Sequence, residues 1–200
     1  MRKQLALALA LLFVCSIAIA QEHQHGDKKP PAMDPAMMEA MMKAAIPGPA
    51  HKVLDSMVGS WDTKVMSWMA PGTQPMSGTG TSENKWILGG RYVEQRFKGD
   101  FMGMPFEGLG YTGYDNVKKQ YFGTWMDNMG TGMMTSVATG GDGKTMMFKG
   151  TYTDPMTGKD TTVDEKVTWI DADHHNMEMW SPGPDGKMFK SMEIQYTRKK

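Results

Sequence analysis

From Trp61 to Arg198, large apolar residues recur at every second position, in short runs separated by turn-forming residues. Val163, Val167 and Trp169 share one face of one run. Met146, Phe148 and Tyr152 share one face of another, and Met188, Met192, Ile194 and Tyr196 one face of the last. A period of two belongs to a strand, whose successive side chains point to opposite sides of a sheet. On this pattern ten strands are predicted, at about 61–69, 77–87, 91–99, 104–114, 118–127, 132–139, 144–153, 161–171, 174–181 and 187–198. Pro71-Gly72, Gly89-Gly90, Asp115-Asn116, Asp142-Gly143 and Asp185-Gly186 supply turn chemistry between them. Such a series of short strands predicts an all-β fold, and closure into an antiparallel barrel removes the exposed edges.

Before Trp61 the pattern changes. Asp34-Pro35 reads as an N-cap followed by proline at the first helical position. Met37, Met38, Met41, Met42 and Ala45 follow at helical spacing until Pro47, so a short amphipathic helix packed on the barrel is expected. Residues 49–58 predict a second short helix, with Leu54, Met57 and Val58 on its apolar side. Residues 21–33 are polar and proline-containing, which predicts a disordered linker. Residues 1–20 combine Arg2 and Lys3, an apolar run and the small-residue end Ala18-Ile19-Ala20. That is the layout of a secretory signal peptide, and an exported protein, periplasmic or secreted, is expected. The expected organisation is a signal (1–20), a linker (21–33), short helices (34–58) and a barrel (59–200).

The 200-residue chain holds equal numbers of basic and acidic residues, 22 of each. Removing Arg2 and Lys3 with the signal leaves two more acids than bases, and no basic patch points to nucleic acid. No run after the signal is long and apolar enough to span a bilayer as a helix, so no stable membrane insertion is expected once it is cleaved. The single cysteine, Cys15, lies inside the signal, so the mature core must hold without disulfides. Methionine changes the picture more: there are 23, against three leucines after the signal. Methionine fills irregular cores and equally lines adaptable pockets.

Several ordered motifs resemble a known family. They are His51-Lys52-x-Leu54 with Val58-Gly59-x-Trp61, then Ile87-Leu88-Gly89-Gly90-Arg91-Tyr92-Val93-Glu94, and then Pro105-Phe106-Glu107-Gly108-x-Gly110 with Gly113-Tyr114-Asp115. The closing strand, with Met192, Glu193, Tyr196 and Arg198, is similar too. Together, over about residues 50–198, they resemble family 1579 of the domains of unknown function. The resemblance implies a lipocalin-like, calycin-type barrel and no particular activity.

The expected function is non-catalytic binding of a small, partly apolar molecule inside the barrel. Trp86, Trp125, Phe148 and Trp169 are its candidate apolar contacts. Tyr92, Glu94 and Arg96 alternate onto one face and would orient a polar group if that face looks inward; if it looks outward they form an ordinary surface pair. Gly108, Gly110, Gly123 and Gly150 fall inside predicted strands, where glycine permits close approach. Glycines among tryptophans and methionines point to a partly open interior; a solid core with glycines relieving curvature is the competing reading. No catalytic pattern is recognisable, so no enzyme is expected, a barrel enzyme with an unrecognised site being one alternative. The other is copper handling in the envelope. Cleavage after Ala20 would put His23 third from a new amine, with His25 close by, and that arrangement suits Cu(II). No cofactor is expected, with copper as the possible exception. His174 and His175 fall on opposite faces of a strand start, where a solvated turn is expected. The oligomeric state is not legible.

Overall fold

The computed structural model describes residues 33–101 and 103–200. The predicted signal, the linker before Met33 and the copper candidates His23 and His25 lie outside the described residues. The strands are β1 (Gly59–Ser67), β2 (Met76–Ile87), β3 (Tyr92–Phe101), β4 (Met104–Asp115), β5 (Gln120–Asp127), β6 (Met134–Gly141), β7 (Thr145–Thr153), β8 (Asp160–Trp169), β9 (His174–Pro182) and β10 (Met188–Arg198). Each pairs antiparallel with its neighbours in sequence, and β1 pairs with β10 to close a ten-stranded barrel. The all-β class, the barrel and the strand count are as the alternation predicts.

Register decides which side chains face inward. Val65 lies opposite Ile194, Ile194 opposite Met177, and Met177 opposite Val167. The stripe continues through Met146 on β7. The last strand departs from simple alternation. A bulge between Lys190 and Met192 shifts its register, so Met188 does not share the face of Met192, Ile194 and Tyr196 and is 43% exposed. One extra residue in a strand reverses every side chain beyond it.

The end where β1 begins is closed by the chain that precedes it. The predicted second helix is one α-helical turn, α2 (Pro49–Lys52), running into a 3-10 turn (Val53–Met57). Leu54 is fully buried there. Tyr121 donates its hydroxyl to the Ala50 carbonyl at 2.9 Å, and the buried His51 ring meets Tyr114 edge-on. Trp61 Nε1 and Asn84 Nδ2 both donate to the Met57 carbonyl, at 3.0 and 2.9 Å. The compact buried cluster lies at this end and centres on Trp61, Ile194 and Tyr196.

Helix α1 (Pro35–Ala45) begins as its sequence predicts, with the Asp34 carboxylate accepting from Ala36 N–H at 2.9 Å. The expectation that its methionines pack on the barrel is not met. No residue of α1 is buried, and Met37, Met38, Met41 and Met42 are each more than half exposed. Among the described residues, side-chain hydrogen bonds tie the helix to the barrel only at its C-terminal end, where Asn116 Nδ2 donates to the carbonyls of Lys43, Ala44 and Ile46. Held by one end, the helix never lays its methionine face on the sheet.

Candidate functional site

The barrel is hollow. A cavity of about 760 Å³ runs from the floor made by Asn84, Gln95, His175 and Tyr196 toward the opposite end. Its mouth is rimmed by Phe101, Phe106, Pro155 and the β5–β6 loop with Met129 and Met133. Trp125, Trp169, Met177, Met179 and Met192 line it and are only half-buried, although their strands turn them inward. That is apolar surface held away from close packing, in a volume typical of small-molecule pockets.

Glycine explains why the interior stays open around so many large rings. A Cβ at Gly108 would fall 2.5 Å from Trp125 Cη2, and one at Gly110 3.1 Å from Trp125 Cε3. The indole therefore lies flat against the β4 wall instead of standing in the lumen. Phe97 lies over Gly80 in the same way, 2.6 Å from the position a Cβ would take. Phe101, Phe106, Phe97 and Trp125 then follow one another along the β3–β5 wall, with ring centroids 5.8–6.5 Å apart. Strands β7, β9 and β10 supply thioethers: Met146, Met177, Met179 and Met192. Of the two readings of the strand glycines, the open interior is the one observed.

The polar groups inside fall into three sets. At the floor, Ser82 donates to Asn84 Oδ1 at 2.7 Å, while Gln95 Nε2 reaches Ser82 at 3.0 Å and the Tyr196 hydroxyl at 3.3 Å. Also at the floor, Trp169 Nε1 and His175 Nδ1 are buried without a hydrogen-bond partner. Burial, with the positive Arg198 nearby, pushes the His175 imidazole down to about 4, so the ring is neutral. At mid-depth, Glu165 accepts from the buried Ser136 hydroxyl at 2.5 Å, and burial pushes its carboxyl above the usual range.

Three of the seven predicted ligand contacts, Trp125, Phe148 and Trp169, line the cavity. Tyr92, Glu94 and Arg96 do not. They share the register face of Gly113, Tyr111 and Leu109, opposite to that of Val93 and Phe97, and look outward. There Arg96 Nε lies 2.8 Å from Glu94 Oε1, and Lys85 Nζ 3.9 Å. The Arg96 hydrogen bond, more than its charge, holds the Glu94 carboxyl below its ordinary value. The pair faces outward as the alternative describes, but it is not an ordinary surface pair: Arg96 is exposed, while Glu94 is covered and only 7% exposed. Trp86 sits at the closed end with its Nε1 on Asp55 Oδ1 at 2.8 Å and does not line the cavity. The expectation of a solvated turn holds for His174, which pairs with Asp171 at 2.8 Å, and fails for His175, which is 3% exposed. Period two puts the pair on opposite faces, and the inner face belongs to the lumen. Glu165 escapes a reading based on apolar positions. Its signal is an acid occupying the inward slot of the stripe Val163-x-Glu165-x-Val167-x-Trp169.

The model of a family described as "Protein of unknown function (DUF1579)" matches residues 46–198. No curated protein matches the sequence. Among solved structures, that of Rv2717c from M. tuberculosis is similar at 15% identity and TM-score 0.59, covering 78% of this chain and all of that one. Such a match shows a shared fold. A redesigned β-barrel matches more loosely, at 14% identity and TM-score 0.40, over 76% of this chain and 96% of its own. A barrel bound to DFHBI does so at 11% identity and TM-score 0.39, over 74% and 98%.

Proposed function

We infer that this chain, which belongs to the DUF1579 family, is an exported, non-catalytic binding protein that encloses one small, partly apolar molecule in its barrel. The observation that carries the reading is the open lumen, walled by half-buried aromatic rings and thioethers and reached through a single rimmed end. Covering that surface with a ligand removes apolar area from water, worth about 25 cal/mol per Å² before the costs of association. Methionine walls adapt to the shape of an occupant at little cost. Export is supported by the charged start, apolar run and small-residue end of residues 1–20.

Titration with a neutral isoprenoid such as farnesol, read through tryptophan fluorescence, is expected to saturate, because Trp125 and Trp169 line the cavity. Gly108→Ala is expected to lift the Trp125 indole off the wall and weaken binding about tenfold, a loss of about 1.4 kcal/mol, with the circular dichroism of the fold retained. Native mass spectrometry of freshly purified protein should reveal a bound organic molecule. No such molecule, together with no fluorescence response to isoprenoids, fatty acids or haem, would overturn the reading.

A further inference from the structure

We propose that Glu165 is the recognition group for an organic cation, so that the barrel takes an apolar amine or quaternary ammonium in preference to a fatty acid. This rests on the reading that the cavity holds an apolar ligand, and adds the sign of that ligand's charge.

Glu165 stands at mid-depth on β8, in register with Phe148 on one side and Met179 on the other. Its position is built. The buried Ser136 hydroxyl donates to Oε1, and a Cβ at Gly150 would fall 2.7 Å from that same oxygen and 3.1 Å from Ser136 Oγ. The glycine makes room for both groups. The Ser136 bond is the only side-chain hydrogen bond to the carboxylate among the described residues, and Oε2 is left for an occupant.

A buried carboxylate is costly unless a cation or several donors compensate it. Here the protein supplies no cation: no lysine or arginine lines the cavity among the described residues. The one histidine on the wall, His175, is neutral, and it serves the floor. The other acids on the cavity wall, Asp127 and Asp100, stand near the mouth. Asp127 accepts from Trp125 Nε1 at 3.0 Å and from Met129 N–H at 3.0 Å, and Asp100 accepts from Gly103 N–H at 2.7 Å. An entering ligand therefore meets negative groups from the mouth to mid-depth and no positive one.

That field disfavours a carboxylate ligand and favours an ammonium group. The neighbours of Glu165 suit the same choice. The Phe148 ring offers a negative face to a cation, and the Met179 thioether is soft and polarisable. An ammonium group beside Glu165 would place its body among Trp125, Phe97 and the methionines. Burial raises the carboxyl in the empty barrel, and a bound cation would draw it back down.

Three probes share one chain and differ in charge: decyltrimethylammonium, decanol and decanoate, each kept below its micellar concentration and read by tryptophan fluorescence. The cation is expected to bind about ten- to a hundredfold more tightly than decanol, and decanoate more weakly than decanol. In Glu165→Gln, which preserves shape and the Ser136 partner, the preference for the cation over decanol should be gone. Decanoate binding as tightly as the cation would overturn the assignment, as would a cation affinity that Glu165→Gln leaves intact. If decanol binds and the cation gains nothing, the charge inference alone fails. If none of the three binds, the ligand-binding reading fails and takes this one with it.

Discussion

Replacing Trp61 with alanine is expected to cost about 3–5 kcal/mol, the range for deleting a large aromatic side chain from a packed site. Trp61 is 1% exposed. Its indole donates to the Met57 carbonyl at 3.0 Å, which pins the closing turn onto the barrel. The His175 ring meets it edge-on at 4.4 Å and the Tyr196 ring at 6.4 Å, while the Arg198 guanidinium lies 4.1 Å from its centroid. Arg198 Nη1 in turn donates to the Val58 carbonyl at 2.8 Å. One side chain thus joins the entry to β1, the end of β10 and the start of β9. These are the elements whose meeting closes the sheet. The packed cluster is small and gives way to the lumen, so few neighbours take over the lost contacts. Since a domain's net stability is only about 5–15 kcal/mol, the loss should be plain in a thermal melt. Near 200 residues, each kcal/mol moves Tm by about 2–4 °C. Val117→Ala, at a 76% exposed turn position, is the control and should shift stability by less than about 0.5 kcal/mol. A Trp61→Ala melt that superposes on that of Val117→Ala would contradict this account of the closed end.

The strands were legible in the sequence because alternation and turn chemistry agree along the whole chain. Asp142 shows why: its carboxylate accepts from Lys144 and Thr145 N–H at 2.8 Å, so the turn residue itself fixes the β6–β7 hairpin. Facing was harder. A filled barrel has a continuously apolar inner side, but this one carries Ser82, Asn84, Gln95, Ser136 and Glu165 inward. On β3 the inward set Val93, Gln95, Phe97 and the outward set Tyr92, Glu94, Arg96 each mix apolar with polar groups. Contrast between the two faces therefore fails, and only the pairing with β2 and β4 decides the matter. The glycine-backed rings are a cross-strand property in the same sense. Gly108 and Trp125 are far apart in sequence, and their contact exists only because Gly110 lies opposite Trp125 in the β4–β5 register. Met188 fails for a different reason, a single-residue bulge that leaves no mark in composition.

His175 should make the protein sensitive to mild acid. Its imidazole titrates at about 4 in the fold against an ordinary 6.5, chiefly because burial disfavours the charged ring, with the Arg198 charge adding to the effect. The groups around it offer no compensating anion. Tyr196 stacks on it at 4.2 Å, Trp61 meets it edge-on, and Trp169 lies opposite in register; Nδ1 has no partner. Tyr196 is itself pushed up to about 12 by burial and stays neutral. With the folded value depressed, the unfolded chain binds the proton first as pH falls. The contribution of His175 is therefore complete above about pH 6.5 and is lost progressively between 6.5 and 4, about 3 kcal/mol in all. Glu165, raised by burial, acts in the opposite direction, since its protonation as pH falls favours the fold. The aspartates held low by backbone donors, Asp115, Asp142 and Asp171, lose their contributions only at more acid pH. Comparison with His175→Gln separates the histidine from this background, because both proteins share every other group. Chemical unfolding at pH 7, 6, 5 and 4 should show wild-type stability falling relative to the variant by about 1.4 kcal/mol per pH unit once the unfolded histidine is protonated. The gap should narrow by about 3 kcal/mol between pH 7 and pH 4, whatever packing cost the substitution carries at pH 7. Parallel stability curves for the two proteins across pH 6.5 to 4 would mean that the imidazole accepts its proton within the fold, and that the floor of the barrel is wetter and more open than its packing against Trp61 and Tyr196 requires.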